Sequence, residues 1–162
     1  MSYRAAVITV SDKGFAGERE DKSGPLLKSC LEDLGFMTGD IVLLPDERRE
    51  ISSKLKKICD SGTADLIITT GGTGAAPRDI TPEATSDIID RPMAGLAEML
   101  RFEGMKKTKR AVLSRGVSGI CRETLIINLP GSPKAVAEGM EILSPVLIHA
   151  INMLKSVNLE HK

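Results

Sequence analysis

The chain has no tryptophan, one tyrosine and three phenylalanines. Proteins that grip single-stranded nucleic acid stack its bases on aromatic rings, so this composition removes that kind of platform. Charge points the same way. Lys and Arg total 22, as do Asp and Glu, and a formal net charge of zero lacks the basic excess of a general nucleic-acid binder. A local basic site for a phosphate ligand stays open. Cysteine is scarce: Cys30, Cys59 and Cys121 are far apart, form no Cys-x-x-Cys pair, and lie far in sequence from His149 and His161. This predicts neither a disulfide framework nor a zinc site, only free thiols in a reducing cytoplasm. Long apolar runs are also missing. Ala5 to Val10 is too short for a signal-peptide core and ends in Ser11-Asp12-Lys13. No stretch approaches the ~20 apolar residues of a membrane span. The expectation is a cytoplasmic protein that contacts neither nucleic acid nor membrane.

What remains is ordinary globular material, 41% hydrophobic and 27% charged over 162 residues. That length is enough for one domain to bury roughly two thirds of its unfolded surface. With no internal repeat, low-complexity tract or Pro/Ser-rich linker, a single domain over residues 1–162 is expected.

The hydrophobic patterning predicts alternating strands and helices. Ala5-Ala6-Val7-Ile8-Thr9-Val10, Ile41 to Leu44 and Leu66 to Thr70 are continuous apolar runs of the kind buried on both faces of a parallel sheet. Between them, Ser23 to Leu34 and Arg48 to Asp60 carry apolar residues at helical spacing, while Ser11 to Asp21 reads as a loop. Helices are also expected over Pro82–Ile89 and Met93–Phe102. Strands are expected over Ala111–Ser114 and Thr124–Leu129, with a short segment near Val117–Cys121 and a hairpin-like turn at Arg122-Glu123. A last helical stripe runs from Pro133 to Leu154, where Pro145 should break or kink it. Met93, Met99, Met105 and Met140 read as core filler. Strand, helix, strand with short links implies right-handed crossovers and a mostly parallel sheet.

In open α/β sheets, ligands bind beyond the carboxyl ends of the strands. Four polar segments fall there. The most informative is Thr69-Thr70-Gly71-Gly72-Thr73-Gly74, followed by Arg78-Asp79-Ile80-Thr81-Pro82-Glu83-Ala84-Thr85. Glycines let successive backbone N–H groups converge on an anion. Thr81-Pro82 has the form of an N-cap with proline at the first helical position, which would aim a helix N-terminus at the same place. A sharp strand-to-helix turn without a ligand has the same composition. The loop is neither a Walker A motif nor a Gly-x-Gly-x-x-Gly fingerprint.

Asp46, in Pro45-Asp46-Glu47, and Asp79 each follow a buried strand, so both could reach one cleft and share a Mg²⁺ with nucleotide phosphates. The plainer alternatives make Asp46 a helix cap and Asp79 a partner of Arg78 or a turn residue. Leu129-Pro130-Gly131-Ser132-Pro133-Lys134 places another capped helix start at this edge with a lysine beside it. Ser11, Asp12, Asp21 and Ser23 complete the set on the first polar loop. Arg91, Arg110 and Arg115 could serve anions, but each reads better as solvated surface.

Taken together and in this order, these motifs resemble the molybdopterin-binding domain family that includes MogA, MoaB and the gephyrin G domain. The resemblance runs from Val10-Ser11-Asp12 to the last helix and is closest to the MogA type. It implies a three-layer α/β/α fold, a small hairpin-like sheet edge and a homotrimer. It also implies adenylylation of molybdopterin by Mg·ATP, with release of pyrophosphate and later hand-over to a metal-insertion protein. By the same resemblance, Asp46 and Asp79 would be catalytic and hold Mg²⁺. Thr70, Gly71, Gly72, Thr73, Gly74, Thr81, Pro130, Gly131, Ser132 and Lys134 would bind substrate. Ser11, Asp12, Asp21 and Ser23 would lie on the nucleotide side. A MoaB-like paralogue and a non-catalytic molybdopterin carrier are the competing expectations.

Overall fold

The computed structural model describes residues 2–156. In chain order the elements are β1 (Arg4–Val10), α1 (Asp12–Phe15), α2 (Ser23–Asp33), β2 (Met37–Thr38), β3 (Val42–Leu44), α3 (Arg48–Ser61), β4 (Leu66–Thr70), α4 (Thr81–Ser86), β5 (Arg91–Pro92), α5 (Ala94–Gly104), a 3₁₀ turn (Lys109–Leu113), β6 (Ser118–Cys121), β7 (Thr124–Leu129) and α6 (Pro133–Leu154).

These strands form one sheet of seven, in the order β2-β1-β4-β7-β6-β5, with β3 also paired to β1. β1, β2, β3, β4 and β7 are parallel neighbours, and β5 and β6 run antiparallel at one edge. The expected mostly parallel sheet with a hairpin edge is therefore present. The β6–β7 turn falls on Arg122-Glu123, where Arg122 takes a left-handed φ of 53°.

The uninterrupted apolar runs follow from coverage of both faces. On one face Ala5 and Val7 of β1, Leu66 and Ile68 of β4, and Leu125, Ile127 and Leu129 of β7 pack against α2 and α6. The alternate residues Ile8, Val10, Ile67 and Ile126 face α3, through Ile51, Leu55, Ile58 and Cys59, and Ala84 of α4. Each fully buried Leu or Ile contributes about 1.5–3 kcal/mol, so the two layers of contacts hold the three-layer α/β/α stack together.

Several expectations change. Ile41 to Leu44 is not buried on both faces. β3 starts at Val42, is half-buried, and shares the sheet edge with β2, from which Gly39-Asp40-Ile41 separates it. Ser11 to Asp21 is not all loop, because Ser11 Oγ accepts from Gly14 N and starts the short α1. Ala111–Ser114 is not a strand but part of the 3₁₀ turn and its exit, capped by Thr108. Met105 is exposed rather than core. Pro145 does not end α6. It costs one bond to the carbonyl of Glu141, and the Ser144 hydroxyl donates to that carbonyl instead, at 3.2 Å.

Candidate functional site

Because β1, β3, β4 and β7 are parallel, the segments that follow them emerge at the same edge. Gly71, directly after β4, is squeezed between the neighbouring strand ends. Its N–H donates to Leu129 O at 3.0 Å, and a Cβ on it would stand 2.2 Å from Val10 O. Its φ of 103° closes it further to any other residue. Thr70 Oγ1 donates to Pro130 O at 2.8 Å and Ser23 Oγ to Gly131 O at 2.5 Å, so β4, the segment after β7 and α2 are pinned together. Asp21 is held from both sides, accepting from Thr9 Oγ1 and Gly24 N, each at 2.9 Å.

The carboxylates meet around the next glycines. Asp12 and Asp46 clamp each other: Asp12 N donates to Asp46 Oδ2 at 2.9 Å and Asp46 N to Asp12 Oδ1 at 3.0 Å. Asp46 Oδ1 lies 3.1 Å from where a Gly72 Cβ would stand, and Asp79 Oδ2 lies 2.8 Å from a Gly74 Cβ. Both acids therefore pack against glycines, in space that a Cβ would take from them. Burial pushes the Asp46 carboxyl up, and the charges of Asp12 and Asp79 push it the same way against the pull of the Asp12 N–H and Arg78. Asp12 moves down, chiefly through its hydrogen bonds from Arg78.

Arg78 is not the partner of Asp79. Its guanidinium grips Asp12 at 2.5 and 3.0 Å, reaches Asp46 O at 3.2 Å and pairs with Glu47 at 2.9 Å. Asp79 instead accepts from Ala76 N at 3.0 Å, closing its own turn. Nor does Asp46 cap α3, which starts after Glu47 without a side-chain cap. Thr81 is the first residue of α4 rather than its cap. Its N–H donates to Gly72 O at 3.1 Å, while its Oγ1 is buried against Gly72 and has no partner.

Beside this cluster opens a cleft of about 650 Å³. Gly72, Thr73, Gly74 and Asp79 form one wall, Pro130, Gly131 and Ser132 another. The rest comes from α5, the 3₁₀ turn and α6, where Leu100, Ala111, Leu113 and Ile142 alternate with Arg101, Arg110 and Glu138. Ser132 Oγ accepts from Ala135 N at 3.1 Å and caps α6, whose N-terminus faces the same edge. Lys134 is exposed on that first turn and does not line the cleft, nor do Thr70, Thr81, Asp46, Ser11, Asp12, Asp21 or Ser23. Gly72, Gly74 and Asp79 are where the cleft and the carboxylate cluster touch.

Among the described residues no group of three or more His, Cys, Asp or Glu is arranged to hold a metal by itself. Two carboxylates are what Mg²⁺ uses when phosphate oxygens and water complete its octahedron, and Asp46 and Asp79 fit that donor set. In the sequence Arg78 stands out only within its motif and as a partner for Asp79, and Arg115 only as a possible anion contact or solvated surface. Arg115 had no signal, because it follows a stretch that reads as a strand. The α5 and 3₁₀ side of the cleft carries no motif at all.

Residues 6–149 match the family model of a probable molybdopterin binding domain. A molybdopterin adenylyltransferase of Helicobacter pylori J99 is 38% identical over 156 residues, covering 95% of this chain and 89% of its own. The molybdenum cofactor synthesis protein cinnamon of Drosophila melanogaster is 40% identical over 155 residues, 94% of this chain but 26% of that longer protein. The crystal structure of the molybdopterin biosynthesis enzyme MoaB from Thermus thermophilus superposes with a TM-score of 0.90 at 47% identity, covering 95% of this chain and 97% of that one.

Proposed function

This chain belongs to the molybdopterin-binding domain family, and from that membership we propose that it is a molybdopterin adenylyltransferase. A phosphate oxygen of molybdopterin attacks the α-phosphorus of ATP. The bond from that phosphorus to the bridging oxygen of pyrophosphate breaks, and adenylyl-molybdopterin and pyrophosphate leave. The observation that carries this reading is the placement of Asp46 beside Gly72 and of Asp79 beside Gly74, two glycines that line the cleft.

Transfer at phosphorus needs positioning and charge compensation more than a strong nucleophile. Gly72 and Gly74 line the cleft, where their backbone would face phosphate oxygens, and the capped start of α6 adds the positive end of a helix. Asp46 and Asp79 would hold Mg²⁺, which supplies charge neutralisation between two anionic substrates. Clamping by Asp12 and Arg78 keeps Asp46 in one orientation.

One domain, assembled as a homotrimer in the cytoplasm, completes the proposal. The exposed apolar side chains Phe102, Val112 and Leu113 support self-association. Three free cysteines suit a reducing compartment, and no described helix is long and apolar enough to cross a membrane. Its product would pass to a metal-insertion protein.

A second reading, a MoaB-like paralogue or carrier, is favoured by one observation: identity to the Thermus MoaB structure is 47%, against 38% to the Helicobacter adenylyltransferase. Pyrophosphate release with Mg·ATP and molybdopterin, for wild type and Asp79→Ala, separates the readings. Molybdopterin-dependent release that is lost in the variant supports adenylyl transfer and the role of Asp79. Unchanged release in the variant keeps the enzyme and removes that role. Tight molybdopterin binding without release points to the carrier.

A further inference from the structure

The cleft and the carboxylate cluster are built from different stretches of chain. The 3₁₀ turn and the segment leading to β6 supply Ala111, Leu113, Ser114 and Gly116 to the cleft wall. This segment has no strand to anchor it before Ser118. Two arginines hold it. Arg101 of α5 donates to Ser114 O and Gly116 O at 3.3 and 2.8 Å. Arg115 reaches the other way, across to the loop that carries Asp79.

The contacts of Arg115 are unusually complete. Its N–H donates to Thr73 O at 2.8 Å and its Nε to Gly74 O at 2.8 Å. Its Nη2 donates to Asp79 O at 2.5 Å, and its Nη1 binds the Glu83 carboxylate on α4. All three guanidinium nitrogens are thus engaged by the protein, so Arg115 is not arranged as an anion receptor. It spans both ends of the Gly74–Asp79 loop and the helix that follows.

We propose that Arg115 is a positioning residue that locks the Asp79 loop to the 3₁₀ wall of the cleft, so that the position of that wall and the placement of the Asp79 carboxylate are set together. The proposal rests on the adenylyl-transfer reading above for its kinetic part. Its structural part does not. The fork geometry is essential: a lysine ammonium keeps the charge and three donors, but these radiate from one nitrogen and do not span acceptors set around three separate guanidinium nitrogens.

The test uses the full chain as wild type, Arg115→Ala and Arg115→Lys. Two readouts are needed: amide hydrogen exchange in peptides spanning 73–80 against those from β4, and steady-state pyrophosphate release. In both variants exchange should quicken across 74–79 while β4 stays protected. The kcat should fall roughly 10- to 100-fold, the usual result of ångström-scale misplacement. Lysine should recover little of the loss, whereas added guanidinium ion should restore part of the rate to Arg115→Ala. Should the alanine variant fail to fold, the lysine variant carries the same comparison. Wild-type kcat in a folded variant would overturn the proposal. So would a loss matched by quickened exchange in β4, which marks a merely structural role. If wild type releases no pyrophosphate, adenylyl transfer is wrong, and Arg115 is then judged by the 74–79 exchange alone.

Discussion

The backbone N–H of Asp12 donates to the carboxylate of Asp46, and the N–H of Asp46 donates to the carboxylate of Asp12. Such a reciprocal pair fixes the end of β1 against the end of β3 and leaves Asp46 Oδ1 directed at Gly72. Asp12→Ala removes the half of the clamp that runs from Asp46 N and releases Arg78 from Asp12, while the backbone N–H of residue 12 still reaches Asp46. The lost hydrogen bond is worth ~0.5–1.5 kcal/mol, and stability should fall by about that much. Activity should fall more steeply, at least ~10-fold in kcat/KM, because Asp46 loses one of the contacts that orient it. Urea titration and pyrophosphate kinetics on the same preparation measure both. Equal, small losses would mean that Asp12 serves folding alone.

Thr81 separates stability from function in the opposite direction. Its hydroxyl is buried without a partner under Gly72. Removing an unpaired buried polar atom at constant shape is neutral or favourable. Thr81→Val should therefore keep or raise the unfolding free energy, by up to ~1 kcal/mol. If a substrate group or Asp46 engages that hydroxyl during turnover, kcat falls while the denaturation midpoint holds. A variant that is markedly destabilised would show that the hydroxyl has a partner in the resting protein.

Most of the central layers was legible in the residues themselves. Runs such as Leu66-Ile67-Ile68 have no polar alternate, which only a strand covered on both faces can satisfy, and β4 is buried throughout. Edges were less legible. β2 and β5 have two residues each, too few for any periodicity, and β3 resembles a central strand although it lies at the rim. The glycine loop and Asp46 and Asp79 stood out by their place after buried strands and by the order of the motifs they belong to, since glycine and carboxylate there also serve turns and caps. Arg78 and Arg115 did not, since an arginine reveals its partners only when the chain has brought distant carbonyls together. The 3₁₀ turn was hidden for a related reason: Ala111-Val112-Leu113 is apolar, but Val112 and Leu113 are exposed.

Asp65 gives the fold a pH dependence. It sits 6% exposed at the start of β4, accepting from Arg4 N at 2.8 Å and pairing with Lys155 at 2.9 Å. Burial pushes its carboxyl up, but the Arg4 N–H and the Lys155 ammonium outweigh it, and the acid lies below its ordinary value. A depressed carboxylate stabilises the fold above its unfolded pKa of about 3.9 and loses that contribution as pH falls through the folded value. Asp65→Asn should lower stability by about 1–3 kcal/mol at pH 7. The gap to wild type should narrow as pH drops below ~4. A gap that stays constant from pH 7 to pH 3 would assign the effect to the amide's fit rather than to charge.

The thiols should divide into two classes. Cys59 and Cys121 are buried, on α3 and β6, whereas Cys30 on α2 is half-exposed. Burial pushes the Cys59 thiol up to about 12, and the neighbouring Cys121 pushes it the same way. Since the thiolate is the nucleophile, such a group is inert near neutrality. A disulfide-exchange reagent at pH 8 should therefore modify Cys30 alone in the native protein, and all three cysteines in denaturant. Cys30→Ser should abolish the fast reaction. The slow reaction of the other two should follow the rate of local opening and rise with urea. A rapid, paired loss of both buried thiols from the native variant would instead reveal a dithiol open to oxidation, and the burial that defines this face of the sheet would have to be looser than the packing around Ile126 and Leu55 implies.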